Sequence, residues 1–218
     1  MKRRTGTFIS FEGIEGSGKT TQARLLAERL SAEGRAVVLT FEPGGTVIGS
    51  RIRDILLLPE HREMSSLTEL LLYNAARAQH LAEKIVPSLE QGKIVITDRY
   101  TDSTVAYQCY ARGIDAALVE AIDAVAAGGV MPDITILLDL DPEAGLRRNK
   151  QINKIDRFEL EDLAFHRKVR EGYLRIAGAE PRRIRIVDAS LPPEEVSARV
   201  GELVAEEMRS RTGSGAPG

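Results

Sequence analysis

Residues Gly13 to Thr20 have the types and spacing of a phosphate-binding loop. They read GIEGSGKT and fit the pattern G-x-x-x-x-G-K-[ST] at every defined position, with an apolar strand pattern before and a helical pattern after. Backbone N–H groups and the following helix N-terminus attract phosphate oxygens in such a loop. We expect Lys19 to reach the β- and γ-phosphates and the Thr20 hydroxyl to bind Mg²⁺. The loop predicts a nucleoside-triphosphate site, and the residues that would form it for ATP are Gly13, Ile14, Glu15, Gly16, Ser17, Gly18, Lys19 and Thr20.

The acid within this loop, Glu15, has no role in holding phosphate. A carboxylate there opposes the positive potential of the site, so it is unfavourable unless it binds something. Glu15 is therefore a candidate for contact with a second substrate, and the alternative is an outward-facing loop acid.

A second polar group follows the apolar run KIVIT. Asp98 stands at the carboxyl end of this predicted strand, where ligands gather in open α/β sheets, and it is a candidate metal ligand. Arg99 beside it suits a bidentate grip on an acceptor phosphate, although the two residues could instead form a structural ion pair. Ser103 and Tyr107 share one helical face with Gln108 alongside, which indicates either an acceptor site or ordinary surface polarity.

The helical segment ELLLYNAARAQH carries Glu69, Tyr73 and Arg77 at intervals of four, so the three side chains share one face. An aromatic ring one turn from a guanidinium suits stacking on a planar base and hydrogen bonding to its edge. The alternative is a core tyrosine beside a solvated arginine.

These segments together resemble one family. FEGIEGSGKTTQ, EPGGT, ELLLYNAARAQH, DRYTDSTVAYQ and DRFE occur in the order and spacing of bacterial thymidylate kinases, from Thr7 to about Ala189. The resemblance implies transfer of a phosphoryl group from ATP to dTMP, and a homodimer packed through long helices. It implies that Tyr73 stacks on thymine, that Arg77 contacts the base edge, and that Glu15 contacts the 3′-hydroxyl side of the sugar. The implied substrate-binding set is Glu42, Arg53, Tyr73, Arg77, Arg99, Ser103, Thr104, Tyr107 and Gln108, in which Arg53 and Arg99 hold the dTMP phosphate.

Two departures from the family pattern concern cations. Phe41 and Val47 replace an arginine and a proline around EPGG, so one cationic contact is lost. The loop has Gly16 where some thymidylate kinases have arginine, and the predicted lid, residues 145–160, has Ile152–Asn153 where relatives have Arg-Gly. The lid is still basic, and we expect Arg148 or Arg157 to supply the catalytic cation beside Lys19, Arg99 and Glu15. Alternatively, Arg147, Arg148, Lys150, Lys154 and Arg157 form a solvated helix face.

The tetrapeptide N-K-I-D at 153–156 matches the guanine-reading signature of GTPases. That signature belongs at the carboxyl end of a sheet strand, whereas here it lies between two helical patterns. No D-x-x-G follows a strand on the magnesium side. The position argues against a GTPase.

The elements that must hold these residues alternate along the chain. Apolar runs TFISFEG, AVVLTFE, KIVITDRY, DITILLDLD and RIRIVDA are separated by helical patterns, the last of them from Pro193 to Arg209. This alternation predicts an α/β fold of the P-loop NTPase type, with a five-stranded parallel sheet flanked by helices and a helical lid. We expect a single domain over residues 1–211 and a disordered tail over 212–218.

Composition excludes several classes of protein. A net charge of −2 gives no sign of a nucleic-acid partner, and a single cysteine, Cys109, excludes an intrachain disulfide or a CxxC metal site. No apolar run approaches the roughly 20 residues of a membrane span, so we expect a cytoplasmic protein.

The leading hypothesis is therefore an ATP:dTMP phosphotransferase. A second is another pyrimidine nucleotide or deoxynucleoside kinase, and a third is a P-loop ATPase or switch, in which the predicted acceptor residues would have no role.

Overall fold

A computed structural model describes residues 5–150, 157–158 and 160–213. Its five strands form one fully parallel sheet in the order β2-β3-β1-β4-β5, which confirms the predicted sheet. The strands are β1 Thr7–Glu12, β2 Val37–Phe41, β3 Ile94–Asp98, β4 Ile134–Asp139 and β5 Ile184–Asp188.

The sheet is covered on both faces, which explains why its strands are apolar without alternation. Phe8 packs on one side with the helical residues Leu81, Ile85 and Leu89. Its neighbour Ile9 points to the other side, into the larger core. Helices therefore flank the sheet on both faces and bury its three central strands, whereas the edge strands β2 and β5 are partly exposed.

The nine α-helices of the described residues lie between and around the strands. They are α1 Lys19–Ala32, α2 Val47–Leu57, α3 Ser66–His80, α4 Val86–Glu90, α5 Thr101–Thr104, α6 Ala116–Ala127, α7 Pro142–Lys150, α8 Leu163–Ala179 and α9 Pro193–Gly213. Two π-helical segments, Leu81–Ile85 and Val105–Ala111, continue α3 into α4 and extend α5. The helical stretch from α3 to α4 thus has its π-helical segment just before Pro87.

Strand register decides where the site forms. Phe11 of β1 lies opposite Asp98 of β3, so the ends of these two neighbouring strands are level. The loop after Glu12 and the Asp98–Arg99 pair consequently emerge side by side at the carboxyl edge of the sheet.

The chain ends and the lid centre fall largely outside the described residues. Helix α9 extends to Gly213, past the expected domain boundary at Arg211, and the remainder of the predicted tail lies beyond it. The N-K-I-D segment, Ile152–Asn153 and Lys154 also lie outside the described residues. None of the described helices is long and apolar enough to cross a membrane.

Candidate active site

The phosphate-binding loop runs from the end of β1 to the start of α1 and needs glycine where other backbone approaches. Gly16 has a φ of 74°, and a Cβ on it would lie 2.1 Å from the carbonyl oxygen of Gly145 in α7. An arginine at position 16 would therefore collide with the α7 backbone. The missing loop arginine is a consequence of how closely α7 packs.

Lys19 folds back over this loop. Its Nζ donates to the Ile14 carbonyl oxygen at 2.7 Å and contacts Ser17 Oγ at 3.4 Å. Burial and the nearby positive charge of Arg99 lower the pKa of Lys19 to about 8. The ammonium is still mostly charged at neutral pH, and a bound phosphate would raise its pKa again.

Thr20 and Asp98 form the predicted metal-binding pair. The Thr20 hydroxyl donates to Asp98 Oδ2 at 2.5 Å, across the gap between α1 and β3. Hydroxyl and carboxylate oxygens are the ligand types that Mg²⁺ takes, usually with phosphate oxygens and waters completing its shell. The donor set therefore fits Mg²⁺.

A cavity of about 450 Å³ opens beside the loop and collects most of the predicted substrate residues. The predicted residues that line it are Glu15, Gly16, Lys19, Thr20, Glu42, Arg53, Tyr73, Asp98, Arg99, Ser103, Thr104, Tyr107 and Gln108. The sequence did not point to its apolar lining residues Leu39, Leu57 and Phe158.

Arg99 is held at the back of this cavity with a φ of 72°. Its Nη1 donates to the Gly13 carbonyl oxygen at 3.2 Å and contacts Ser103 Oγ at 3.1 Å and Tyr173 OH at 3.0 Å. Its Nη2 donates to Glu15 Oε1 at 2.9 Å. Arg99 is thus a fixed cation next to the phosphate-binding loop.

Glu15 faces inward, toward Arg99, and not outward. Its Oε1 also accepts from Tyr107 OH at 2.6 Å, and its Oε2 lies 3.5 Å from His166 Nδ1. Burial by itself would raise the pKa of Glu15, but His166, Arg99 and Lys19 together hold that pKa well below its usual value. The loop acid is ionised under all ordinary conditions.

An aromatic wall lines part of the cavity. Tyr73 lies 6.3 Å from Phe158 between ring centroids, and Phe158 meets Tyr107 edge-on at 5.6 Å. Thr104 Oγ1 is buried beside this wall with no hydrogen-bond partner among the described residues. A flat ring and an unpaired hydroxyl suit a planar base with a polar edge.

Arg53 reaches the cavity from α2. Its Nη1 donates to the Pro43 carbonyl oxygen at 2.9 Å, and its guanidinium lies 5.5 Å from the Phe41 ring centroid. Where the family pattern has an arginine, Phe41 therefore provides an aromatic ring that makes a cation–π contact with Arg53.

Arg77 does not line the cavity, unlike the other predicted substrate residues. Its side chain is 2% exposed, and it donates to Glu42 Oε2 at 2.9 Å and to Asp123 Oδ1 at 2.7 Å. Glu42 also lies 3.0 Å from His80 Nδ1. The guanidinium belongs to a buried ionic network one turn beyond Tyr73, so the structure does not bring Arg77 together with the other predicted substrate residues.

The two lid arginines that we expected to assist catalysis have different surroundings. Arg157 is buried, donates through Nε to the Leu56 carbonyl oxygen at 3.0 Å, and pairs with Glu69. It is absent from the cavity lining, which argues against the expected catalytic role. Arg148 instead donates to the Ala189 carbonyl oxygen at 2.9 Å beside the phosphate-binding loop.

A second cavity of about 450 Å³ lies on the other side of the loop. Arg148 lines it together with three residues that follow β5 in the chain, Leu191, Pro193 and Val196. It shares with the first cavity the residues Gly16, Lys19, Thr20 and Asn149. The two cavities therefore meet at the phosphate-binding loop.

Glu12, His166 and Tyr173 are site residues that sequence reasoning missed. Glu12 carried a usable signal, since it is a carboxylate at the end of an apolar strand immediately before the loop. His166 and Tyr173 come from α8, more than 140 residues later, and no local pattern marks them.

Comparisons with known proteins agree with the resemblance. Residues 11–200 match the family described as Thymidylate kinase. A thymidylate kinase of Syntrophotalea carbinolica is 53% identical over 199 residues, covering 88% of this chain and 92% of that protein. A thymidylate kinase of Trichlorobacter lovleyi is 47% identical over 209 residues, covering 92% and 98%. The crystal structure of thymidylate kinase from Ehrlichia chaffeensis is 38% identical, with a TM-score of 0.76 and coverage of 92% and 98%. The chain belongs to the thymidylate kinase family.

Proposed function

We propose that the protein transfers the γ-phosphoryl group of ATP to dTMP, yielding ADP and dTDP for dTTP synthesis. The observation that carries this proposal is the meeting of two cavities at Lys19. The cavity lined by Arg148 would hold the phosphate donor, and the cavity lined by Tyr73 would hold the acceptor. In this donor cavity and acceptor cavity, the two substrates would bring their phosphates together at the same loop. A P-loop ATPase or switch would have no use for the cavity lined by Tyr73.

The acceptor is oriented by three contacts. Tyr73 stacks on the thymine ring, Thr104 offers its free hydroxyl to the base edge, and Arg53 and Arg99 grip the phosphate. Glu15 faces the sugar side of the acceptor. The base edge contact expected of Arg77 would require its guanidinium to leave Glu42 and Asp123, so we assign Arg77 the role of holding Glu42 in the cavity wall.

In the transfer, a phosphate oxygen of dTMP attacks the γ-phosphorus of ATP. The bond from that phosphorus to the β–γ bridging oxygen breaks, and ADP leaves with the bond electrons. The attacking oxygen is already anionic, so no strong base is needed, and the protein supplies position and positive charge. Lys19 and Arg99 provide that charge from the donor and acceptor sides.

Mg²⁺ would be held by Thr20 and Asp98, and when bound it would neutralise charge on the β- and γ-phosphates. Arg148 is the lid cation best placed to assist, because it lines the donor cavity whereas Arg157 pairs with Glu69.

The functional unit we propose is a homodimer. Helix α3 packs between α2 and α6. All three carry exposed apolar side chains spaced to share one face of their helix: Ile48 and Ile55, Leu67 and Leu71, and Leu118 and Val125. A second copy of the chain is the occupant that the family resemblance supports. Location in the cytoplasm stays a prediction.

The experiment measures ADP release with dTMP, dUMP, dCMP and no acceptor. Turnover that depends on an acceptor, with dTMP used best, is expected. Equal use of dCMP would favour another pyrimidine nucleotide kinase, and turnover without acceptor would favour an ATPase.

A further inference from the structure

A buried carboxylate lies directly beneath Arg99. Glu12, the last residue of β1, is 0% exposed. Its Oε1 accepts from the backbone N–H of Tyr100 at 2.7 Å. Its Oε2 accepts from Ser103 Oγ at 2.6 Å and from Tyr173 OH at 2.9 Å.

The same contacts reach Arg99 by two routes. The hydroxyls of Ser103 and Tyr173 that donate to Glu12 are also the partners of Arg99 Nη1, at 3.1 and 3.0 Å. The N–H of Tyr100 belongs to the peptide bond that follows Arg99, whose φ is 72°. Glu12 therefore restrains both the backbone and the guanidinium of Arg99.

The direction of the protons gives this arrangement its effect. A hydroxyl has one proton, so one that donates to a carboxylate presents only lone pairs to its other neighbours. With Glu12 accepting, Ser103 and Tyr173 both present lone pairs to Arg99. An amide nitrogen at the position of Oε2 cannot accept from either hydroxyl. The two hydroxyls lie 2.8 Å apart, so one can then donate to the other, but at least one proton loses its acceptor next to the guanidinium.

Burying this carboxylate is unfavourable for the fold. Burial and the neighbouring Asp102 raise the pKa of Glu12 to about 7, despite the hydrogen bonds from Ser103 and Tyr173 and the charge of Arg99. When a buried acid lowers the stability of the fold and lies beside a cleft, a functional role is indicated.

We propose that Glu12 is a positioning residue, which aims Arg99 at the acceptor phosphate through Ser103 and Tyr173. This inference rests on the proposed role of Arg99 in holding the dTMP phosphate. Glu12 itself touches no substrate.

The test is Glu12→Gln, which preserves the side-chain volume and an acceptor for the Tyr100 N–H. We expect the KM for dTMP to rise about tenfold, the effect of weakening one charge-assisted hydrogen bond, while the KM for ATP changes less than about twofold. A merely structural defect would lower the folded fraction and the apparent kcat, and would leave both KM values unchanged.

The matched control is Asp102→Asn. Asp102 is a buried carboxylate close to Glu12, but its partners are Arg183 and Thr135, not Arg99. We expect it to lower the melting temperature and to leave the KM for dTMP unchanged. An equal rise in that KM for both variants would overturn the proposal.

Further variants keep the test decisive if Glu12→Gln folds poorly. Ser103→Ala with Tyr173→Phe removes both hydroxyl links, and this double variant should raise the KM for dTMP by itself. Adding Glu12→Gln to it should produce no additional rise, and a full additional rise would contradict action through the hydroxyls.

Arg99→Ala separates failure of this inference from failure of the proposed function. If Arg99→Ala raises the KM for dTMP and Glu12→Gln does not, only the positioning role of Glu12 is lost. If neither variant has an effect, the acceptor-phosphate role of Arg99 is wrong, and the inference is lost with it.

Discussion

Arg99 combines a strained backbone with a side chain that is held by hydrogen bonds from both terminal nitrogens. It is the one non-glycine residue with positive φ in the part of the chain that the structure describes. A left-handed conformation costs a non-glycine residue roughly 1–2 kcal/mol, so surrounding contacts must maintain it. The Phe11 carbonyl oxygen accepts from the Arg99 N–H at 2.9 Å, and Glu12 holds the next peptide. Strain located at the cavity supports a role for this residue in binding.

Tyr73 tests the base-stacking assignment. Removing the ring in Tyr73→Ala should raise the KM for dTMP about tenfold, because base–aromatic stacking contributes roughly 1–3 kcal/mol. The KM for ATP should not change, because Tyr73 lines only the acceptor cavity among the two beside the loop. Steady-state kinetics with each substrate varied in turn would measure both constants.

The control for this variant is Tyr73→Phe. Burial and the charge of Glu69 raise the pKa of Tyr73 well above its usual value, so the side chain is a neutral ring at working pH. We expect Tyr73→Phe to bind dTMP as the unchanged protein does. Loss of dTMP affinity in both variants would mean that the hydroxyl, not the ring, contacts the substrate.

Glu12 also predicts how stability depends on pH. Its pKa is about 7 in the folded chain against 4.5 in the unfolded chain, raised first by burial and then by Asp102. The folded state therefore binds more protons between these values, and the free energy of unfolding falls as pH rises through that window. The lost stability amounts to about 3 kcal/mol at most.

Denaturant unfolding at pH 5 and pH 8 would measure this effect. Glu12→Gln should be more stable relative to the unchanged protein at pH 8 than at pH 5. The variant Glu28→Gln, at an exposed acid on α1, controls for loss of one negative charge. The same pH dependence with and without Glu12 would contradict the assignment.

At the scale of elements, Glu69 joins α3 to the lid. Its carboxylate is 0% exposed and accepts from Gln108 Nε2 at 2.9 Å and Arg112 Nε at 3.2 Å, and it pairs with Arg157. Arg112 also pairs with Glu161 at 2.6 Å. Arg157 at the end of the lid and Glu161 just after it therefore attach this part of the chain to the acceptor cavity, with Phe158 between Tyr73 and Tyr107.

This attachment predicts a binding defect, not a chemical one, for Arg157→Ala. Without Arg157, the end of the lid is held against the acceptor cavity for a smaller fraction of the time. The apparent affinity for dTMP falls in proportion to that fraction. We expect the KM for dTMP to rise about tenfold and kcat to change less than about threefold. A direct transition-state arginine would instead cost roughly 10³-fold in kcat.

Two further arginines complete that experiment. Arg148→Ala should raise the KM for ATP, because Arg148 lines the donor cavity. Arg167→Ala removes an exposed α8 arginine that pairs with Glu143, and should change neither constant. A fall in kcat of about 10³-fold in Arg157→Ala would restore the catalytic role expected from the sequence.

At the scale of the whole molecule, the exposed apolar face of α2, α3 and α6 predicts the oligomeric state. Leu71 is 50% exposed at the centre of this face. A glutamate there would bury an unpaired charge in the interface, so Leu71→Glu should convert the dimer to monomers. Light scattering after gel filtration should then show the chain mass of 23.9 kDa, in place of twice that mass.

Ile186→Glu is the control, because Ile186 is similarly exposed but lies on β5, away from these helices. We expect that variant to remain dimeric. A monomer in the unchanged protein would remove the proposed dimer, and dissociation by both variants would move the interface elsewhere.

The confirmed parallel sheet, and the grouping of predicted site residues around one cavity, follow from local patterns in the sequence. The phosphate-binding loop is a contiguous motif, and uninterrupted apolar runs such as ITILL mark strands covered on both faces. The parallel sheet then brings the ends of β1 and β3 to one edge, which places Asp98 and Arg99 beside Lys19. Tyr73 follows from helical spacing on the adjoining helix.

The remaining features depend on which distant elements pack together. Tyr73 and Arg77 have the same helical spacing as any ligand-facing pair, but the cavity ends between them and the arginine meets Glu42 and Asp123. Arg157 turns to Glu69, 88 positions away in the chain, and Glu12 meets Tyr173 across 161 positions. Residue types and spacing established the chemistry of this protein. Which cations and hydroxyls face the two cavities beside the phosphate-binding loop was decided by the tertiary structure, because a buried charge must find its partner wherever the fold places one.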